Sequence, residues 1–429
     1  MSGERIVIKG GRVIDPSNGI DAMVSVCIAG DKIVAVGEIP IGFEADQEID
    51  AKGLIVCPGF VDLCARLREP GQEFKATIAS ETAAAAAAGV TTLCCPPDTR
   101  RVIDTPAVVN LLRERADSVG KARVIPIGAL TRGLQGKELS SMMALKTAGC
   151  VAVGNAYAPV ENLLVLRRGL EYAANCGLIV VVRPEEPTLR NRGCVHDGVI
   201  GSRLGLPLFP SSAETVAVAQ TLVLAEQTGA RVHFGQLSSE RAVAMIAEAQ
   251  QRGVGVSADV AIHQLHLTES AVIGFDANVH VNPPFRSQSD RDALREGLAS
   301  GVLSAICSDH QPHDPNAKLD AFPATEPGMS SLETLLPLSL KLVEEGVLDL
   351  TSAIARLTEG PSAILGLGAG TLNAGATADV CLFDPIQEWT AEGTDWHSKG
   401  LNTPFYGSVF KGRVTMTLLG GHMVHCLRL

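Results

Sequence analysis

From Arg5 to Glu48 the chain alternates short apolar runs (RIVIKGGRVID, MVSVCIAG, KIVAVG) with Gly, Asn and Asp turns. β-rich runs bounded in this way predict a small antiparallel β unit. From about Leu54 the pattern changes to apolar runs at 54–63, 90–95, 123–129, 150–154, 178–183, 231–236, 254–260 and 303–308, separated by longer helical segments. Eight alternations of this kind predict an α/β fold, a (β/α)8 barrel of the TIM type. The Ala-rich stretch 77–89 predicts a helix capped by Gly89, and 351–367 predicts a last helix. After Thr371 the chain returns to short β runs (ADVCLFD, SVFKGRVTMTLLGGHMVH). Both ends are therefore expected to build one small β-sandwich, 1–53 with 370–429, beside a barrel over 54–369.

Composition narrows the function classes. A chain of 429 residues that is 46% hydrophobic can bury a large core, enough for one big domain and a smaller one. A net charge of -11 argues against nucleic acid and against an anionic membrane surface. No apolar run approaches a membrane span, and MSGERIVIKG lacks signal-peptide architecture, so a cytoplasmic location is expected. The 11 cysteines are scattered without a CxxC, as reduced and mostly buried thiols would be.

The segment PGFVDLCARLREPG, residues 58–71, is an apolar strand ending in a cluster of charge. It resembles the PGFVDxHxHxREPG stretch of dihydroorotases, members of the metal-dependent amidohydrolase superfamily. CCPPDT, VNPPFR, SDHQPHDP, PGMSSLET, FDPIQEWT and NTPFYG are similar to further segments of that family, almost to the end of the chain. The resemblance implies the barrel-plus-sandwich fold, a binuclear zinc site and the reversible cyclisation of carbamoyl aspartate to dihydroorotate.

The residues in the corresponding slots do not suit that chemistry. Hydrolysing or closing a cyclic amide calls for a metal-activated water, held by at least three His, Cys or carboxylate ligands. By the resemblance, the His-x-His pair of the first strand is Cys64 and Arg66. The fourth-strand acid falls at Asn155, the fifth-strand histidine at Arg183 and the sixth-strand histidine at Gln236. Asp309 alone is kept, with the non-ligands His310 and His313. The first histidine of the chain is His196, so the first five strands offer no imidazole. For substrate, Arg68 and Asn282 match the carboxylate-binding residues, whereas Asp98 replaces an asparagine and would repel that carboxylate.

A guanidinium at ligand distance from a divalent ion costs roughly 8 kcal/mol at 4 Å and an effective dielectric of 20. Arginine cannot relieve this by losing its proton. Asp309 is therefore expected to pair with Arg66 or Arg183 where zinc would sit, and its removal to destabilise the barrel by roughly 1–3 kcal/mol. Plainer readings stand beside these. Cys64 reads first as a buried thiol, His263 with His266 as packing, and His310 with His313 as a hydrogen-bonded loop cluster. His397, His422 and His425 read as surface or packing residues remote from the barrel mouth, and Arg183 as the partner of Glu185 or Glu186. Two functions compete. The first is a catalytically inactive homologue without cofactor, resembling the non-catalytic dihydroorotase-like chains that some bacteria pair with aspartate carbamoyltransferase. Its expected partner is that enzyme's catalytic chain in a hetero-oligomer, with a homodimer as the state of the chain alone. The second is an active cyclic amidohydrolase with an atypical or mononuclear centre at Cys64, Asp309 and His310.

Overall fold

A computed structural model describes residues 4–392 and 395–427. Eight parallel strands follow in chain order: Phe60–Asp62, Val90–Cys95, Arg123–Pro126 continued by Gly128–Ala129, Ala152–Gly154, Ile179–Val182, Val232–Phe234, Val256–Ala261 and Ala305–Cys307. The third strand joins two sheets, because Arg123–Pro126 pairs with the second strand and Gly128–Ala129 with the fourth. The first and eighth meet just beyond their ends at the Ala65–His310 bridge, where Arg66 donates its N–H to the His310 carbonyl at 2.9 Å. This contact closes the (β/α)8 barrel and sets residues 64–66 against 309–310.

Side chains alternate across each strand, so every strand supplies two cores. Cys94, Ile127, Ala152, Ile179, Ala305 and Cys307 pack together in the barrel interior. Val153, Val180, Val232 and Ile306 face the surrounding helices. Short and medium side chains fill the inner face, as in a packed barrel core.

The apolar run 54–63 is two strands rather than one. Ile55–Pro58 pairs with Val380–Thr390 of the tail, and only Phe60–Asp62 enters the barrel. The break falls at Gly59, where a Cβ would lie 2.3 Å from the Thr91 side chain. The sandwich consists of one four-stranded sheet from 5–50 and one six-stranded sheet. The latter runs His422–Cys426, Val409–Leu419, Val380–Thr390, Ile55–Pro58, Arg12–Asp15, Ile20–Met23. Ile6, Ile28, Val56, Val380 and Leu418 fill the space between the sheets.

The helices also depart from expectation in detail. The Ala-rich helix spans Ile78–Ala87 with a Thr77–Ser80 capping box, and its C-cap is Ala88, with Gly89 following at φ +80°. The last helix is two, Leu350–Leu357 and Glu359–Leu365, broken at Thr358. Pro361 has no N–H to continue the first, and Gly360 sits where a Cβ would strike the Ser304 carbonyl. Among the described residues no helix is long and apolar enough to cross a membrane.

One stretch of the tail leaves the sandwich and runs behind the loop after the eighth strand. Ser398 donates its hydroxyl to Glu81 at 2.7 Å, and Lys399 donates its N–H to the same carboxylate at 3.1 Å. Asn402 donates to the Gln311 and Gly328 carbonyls at 3.0 Å each. His397 donates its N–H to Glu333 at 2.6 Å. His397 is therefore part of a strap holding the loop at the barrel mouth, not a remote surface residue.

Candidate functional site

Closure of the barrel brings Cys64, Arg66 and Asp309 together at the mouth. Arg66 is 5% exposed, donates from Nε to Asp98 at 2.9 Å, and has a terminal nitrogen 3.5 Å from Asp309. The approach of Asp309 to Arg66 expected from charge is thus present, but the shorter contact belongs to Asp98. Asp98 neutralises Arg66 rather than standing free to repel a substrate. Burial opposes the charge on Arg66, and Asp98 with the other groups around it more than compensates.

Asp309 is 1% exposed and accepts from Gln311 Nε2 at 3.2 Å on each oxygen. Burial pushes its carboxyl up to about 6, against the pull of Arg66 and Arg183. Cys64 Sγ lies 3.6 Å from Asp309, and burial together with that carboxylate raises the thiol well above its ordinary value. It is held as a thiol, not as a metal-binding thiolate.

Tyr157 organises the rest. The guanidinium carbons of Arg66 and Arg183 lie over its ring, 4.3 and 4.1 Å from the centroid. Its hydroxyl donates to the Asn282 carbonyl at 3.1 Å and accepts from Gln311 at 2.5 Å. Arg183 pairs with Glu185 at 2.7 Å, and Glu185 also receives Arg190 at 2.9 Å and the Asn282 amide at 3.2 Å. Sequence reasoning gave Tyr157 no role. The available signal was a bulky aromatic two residues after Asn155, in a chain with 3 tyrosines.

Other residues singled out from the sequence point elsewhere. Asn155 is consumed in its own loop, bonded to Thr131 and to the Ala158 carbonyl. Gln236 reaches Cys307 Sγ at 3.8 Å, while His233 is fixed by Ser257 at 2.9 Å and Asp259 at 3.0 Å. Arg68 donates to the Pro312 carbonyl at 2.9 Å and meets His313 Nε2 at 3.2 Å. Burial and the charge of Arg66 push Arg68 down to about 10. Asp309, His310 and His313 adjoin in sequence but do not form one constellation. His310 Nδ1 accepts from the Ser331 N–H at 3.0 Å, so Nε2 carries the proton that meets Glu81 at 2.6 Å. His313 meets Lys75 at 3.1 Å, and burial with Arg68 and Lys75 pushes it down to about 2. His263 packs on the edge of Phe285 and His266 bonds the Leu338 carbonyl, with burial lowering both to about 3.

A binuclear zinc centre does not fit these residues. Two guanidinium groups stand where ligands would be needed, Asp98, Glu185 and Asp309 each face an arginine, and Asp259 is taken by His233 and the Gln236 N–H. Among the described residues no three His, Cys, Asp or Glu side chains are grouped to hold a metal ion. The cavity bounded by Cys64, Arg66, Ala156, Arg183, His233 and Gln236 holds about 40 Å³. That is room for a few waters and not for a carbamoyl amino acid.

Comparison with known proteins places this geometry in a lineage. The family model described as dihydro-orotase-like matches residues 53–242. The dihydroorotase-like protein of Pseudomonas aeruginosa is 50% identical, over 98% of this chain and 99% of its own. That of Pseudomonas putida is 49% identical over the same shares. A dihydroorotase of Geobacter sp. (strain M21) is 43% identical, again over 98% and 99%. Among solved structures, the L-hydantoinase of Arthrobacter aurescens superposes with a TM-score of 0.87 at 23% identity, covering 99% of this chain and 96% of that one. At that identity the likeness concerns the fold alone. With half its residues shared along nearly the whole length of a relative, the chain belongs to the dihydroorotase-like family.

Proposed function

We propose that this chain is a catalytically inactive member of its family, a pseudoenzyme acting in the cytoplasm as the assembly subunit of aspartate carbamoyltransferase in pyrimidine biosynthesis. The observation that carries the first half is the stack of Arg66, Tyr157 and Arg183 over the place of the metal ligands, with about 40 Å³ left beside it. The assembly role rests on the resemblance to non-catalytic chains that accompany the transcarbamoylase. The rival mononuclear centre at Cys64, Asp309 and His310 is disfavoured because both ring nitrogens of His310 are engaged by Glu81 and Ser331.

Purified protein is expected to hold far less than one equivalent of zinc and neither to hydrolyse dihydroorotate nor to cyclise carbamoyl aspartate. Stoichiometric bound metal, or turnover stimulated by Zn²⁺, refutes the inactive reading. Co-expression with the transcarbamoylase catalytic chain is expected to give one mixed complex with higher transcarbamoylase activity than that chain alone. Independent elution of the two chains and unchanged activity refute the assembly role and leave the inactivity untouched.

A further inference from the structure

The opposite end of the barrel carries a second cavity of about 370 Å³, at the N-terminal ends of strands five to eight and under the helix Glu359–Leu365. Its floor is aliphatic, from Ile179, Val232, Val256 and Ile364, and Ser257 and Ser304 bring hydroxyls to it. Two arginines, Arg231 and Arg356, line it, and none of its described lining residues is acidic. Neither arginine forms an ion pair within 4.0 Å of a carboxylate among the described residues, although Glu359 lies near enough to Arg356 to act on it through space.

The plain reading of both arginines is helix capping. Arg231 donates one terminal nitrogen to the Ile364 carbonyl at 3.2 Å, and Arg356 donates Nε and one terminal nitrogen to the Leu298 carbonyl at 3.2 and 3.1 Å. Such contacts suit cations at helix C-termini. They leave most of the five N–H donors of each guanidinium unused, and no such donor on either residue is a buried orphan. Arg356 is also partly desolvated, since burial lowers its pKa. Two weakly hydrated guanidinium groups beside hydroxyls, without a carboxylate in the wall, match the recognition chemistry of an oxyanion.

We propose that this cavity is a binding site for phosphate, either free or as the phosphoryl group of a small monoester whose body rests on the aliphatic floor. Arg231 and Arg356 hold the anion, and the Ser304 hydroxyl, held only at 3.5 Å by the Ala258 carbonyl, supplies a further donor, while the Ser257 hydroxyl is taken by His233. The site lies at the end of the barrel opposite the mouth, so it is independent of the proposed loss of catalysis and of the partner.

The test uses isothermal titration of the full chain at a fixed ionic strength of about 0.15 M, which screens surface charge. The probes are inorganic phosphate, phenyl phosphate and phenol. Both phosphates are expected to saturate one site, and phenol not to bind. Tighter binding of phenyl phosphate assigns the site to a monoester, and equal affinity assigns it to free phosphate. Ala363→Glu places a carboxylate at the exposed rim without touching either arginine, and Arg231→Gln removes one cation. Each is expected to weaken phosphate binding about tenfold or more, in line with the loss or cancellation of a charge-assisted contact. The absence of saturable binding by either phosphate up to about 10 mM overturns the proposal. Unchanged affinity in folded Ala363→Glu and Arg231→Gln, or equal binding of phenol, overturns it as well.

Discussion

Replacing Asp309 by asparagine separates two opposing influences on that buried carboxylate. Pairing with Arg66 at 3.5 Å favours the charge, and complete burial disfavours it. Burial prevails, raising the carboxyl from an ordinary 3.8 to about 6. The folded protein therefore binds this proton more tightly than the unfolded chain does. The resulting stability is fully present below about pH 4 and is lost as pH rises through about 6. A rise of that size corresponds to about 3 kcal/mol at neutral pH, at a site too buried for solvent to screen. Asparagine keeps the shape and cannot ionise, and Arg66 keeps Asp98 at 2.9 Å. Asp309→Asn is thus expected to stabilise the protein by about 1–3 kcal/mol at pH 7.5 and to match wild type near pH 4. This is opposite in sign to the loss expected from pairing alone. Urea denaturation of both proteins across pH 4–8 measures the difference. A variant less stable than wild type at pH 7.5, or a difference that does not change with pH, refutes the reasoning.

Further outcomes follow from the same geometry. Tyr157→Phe loses a hydroxyl bonded to Asn282 and Gln311 and should lower stability by about 1–2 kcal/mol, while Tyr157→Leu should lose about another 1–2 kcal/mol as both cation–ring contacts go. Chemical denaturation of the pair of variants checks the order. Cys64→His with Arg66→His should not restore dihydroorotase activity, because Asn155, Arg183 and Gln236 still leave the shell incomplete; appreciable turnover in that double variant would mean the remaining ligands lie elsewhere. Glu81→Gln should loosen the strap at Ser398 and Lys399, seen as faster trypsin cleavage after Lys399 at pH 7.5, and unchanged cleavage counts against the strap's dependence on that carboxylate. Burial opposes the Glu81 charge but the His310 hydrogen bond holds its carboxyl below the ordinary range. The stability contributed by Glu81 is therefore present above the ordinary carboxylate range and lost as pH falls through its lowered value.

The barrel was legible because strands buried on both faces read as continuous apolar runs at regular intervals. Continuity also hid one boundary. Only Pro58-Gly59 in the run 54–63 marks where the sandwich strand ends and the barrel strand begins, and the reason for Gly59, the close approach of Thr91, exists only in the folded chain. The break at Thr358 is signalled by Gly360-Pro361, but the apolar spacing continues across it and masks the signal. At the mouth, the poor fit of these residues to a metal could be read from residue type alone, since an arginine cannot become a ligand by shedding its proton. Its replacement could not be read, because the partners are distant in sequence: Asp98 for Arg66, Glu81 for His310, Lys75 for His313. Local adjacency suggested an Asp309–His310–His313 group, whereas the backbone turns these side chains to three different neighbours.

The sandwich has a consequence for the order in which the molecule is made. Val56 lies opposite Leu382, and Pro58 opposite Val380, so a strand from the first part of the chain is completed by one from the last. During synthesis Arg12–Asp15, Ile20–Met23 and Ile55–Pro58 emerge early and then wait, with the pairing edge of Ile55–Pro58 open, until Val380–Thr390 leaves the ribosome. Through that interval the whole barrel sequence passes through the exit tunnel. An unpaired apolar edge held open so long is a template for intermolecular pairing. A nascent chain halted before residue 380 is expected to depend on a chaperone or to aggregate, while the completed chain closes the edge on itself.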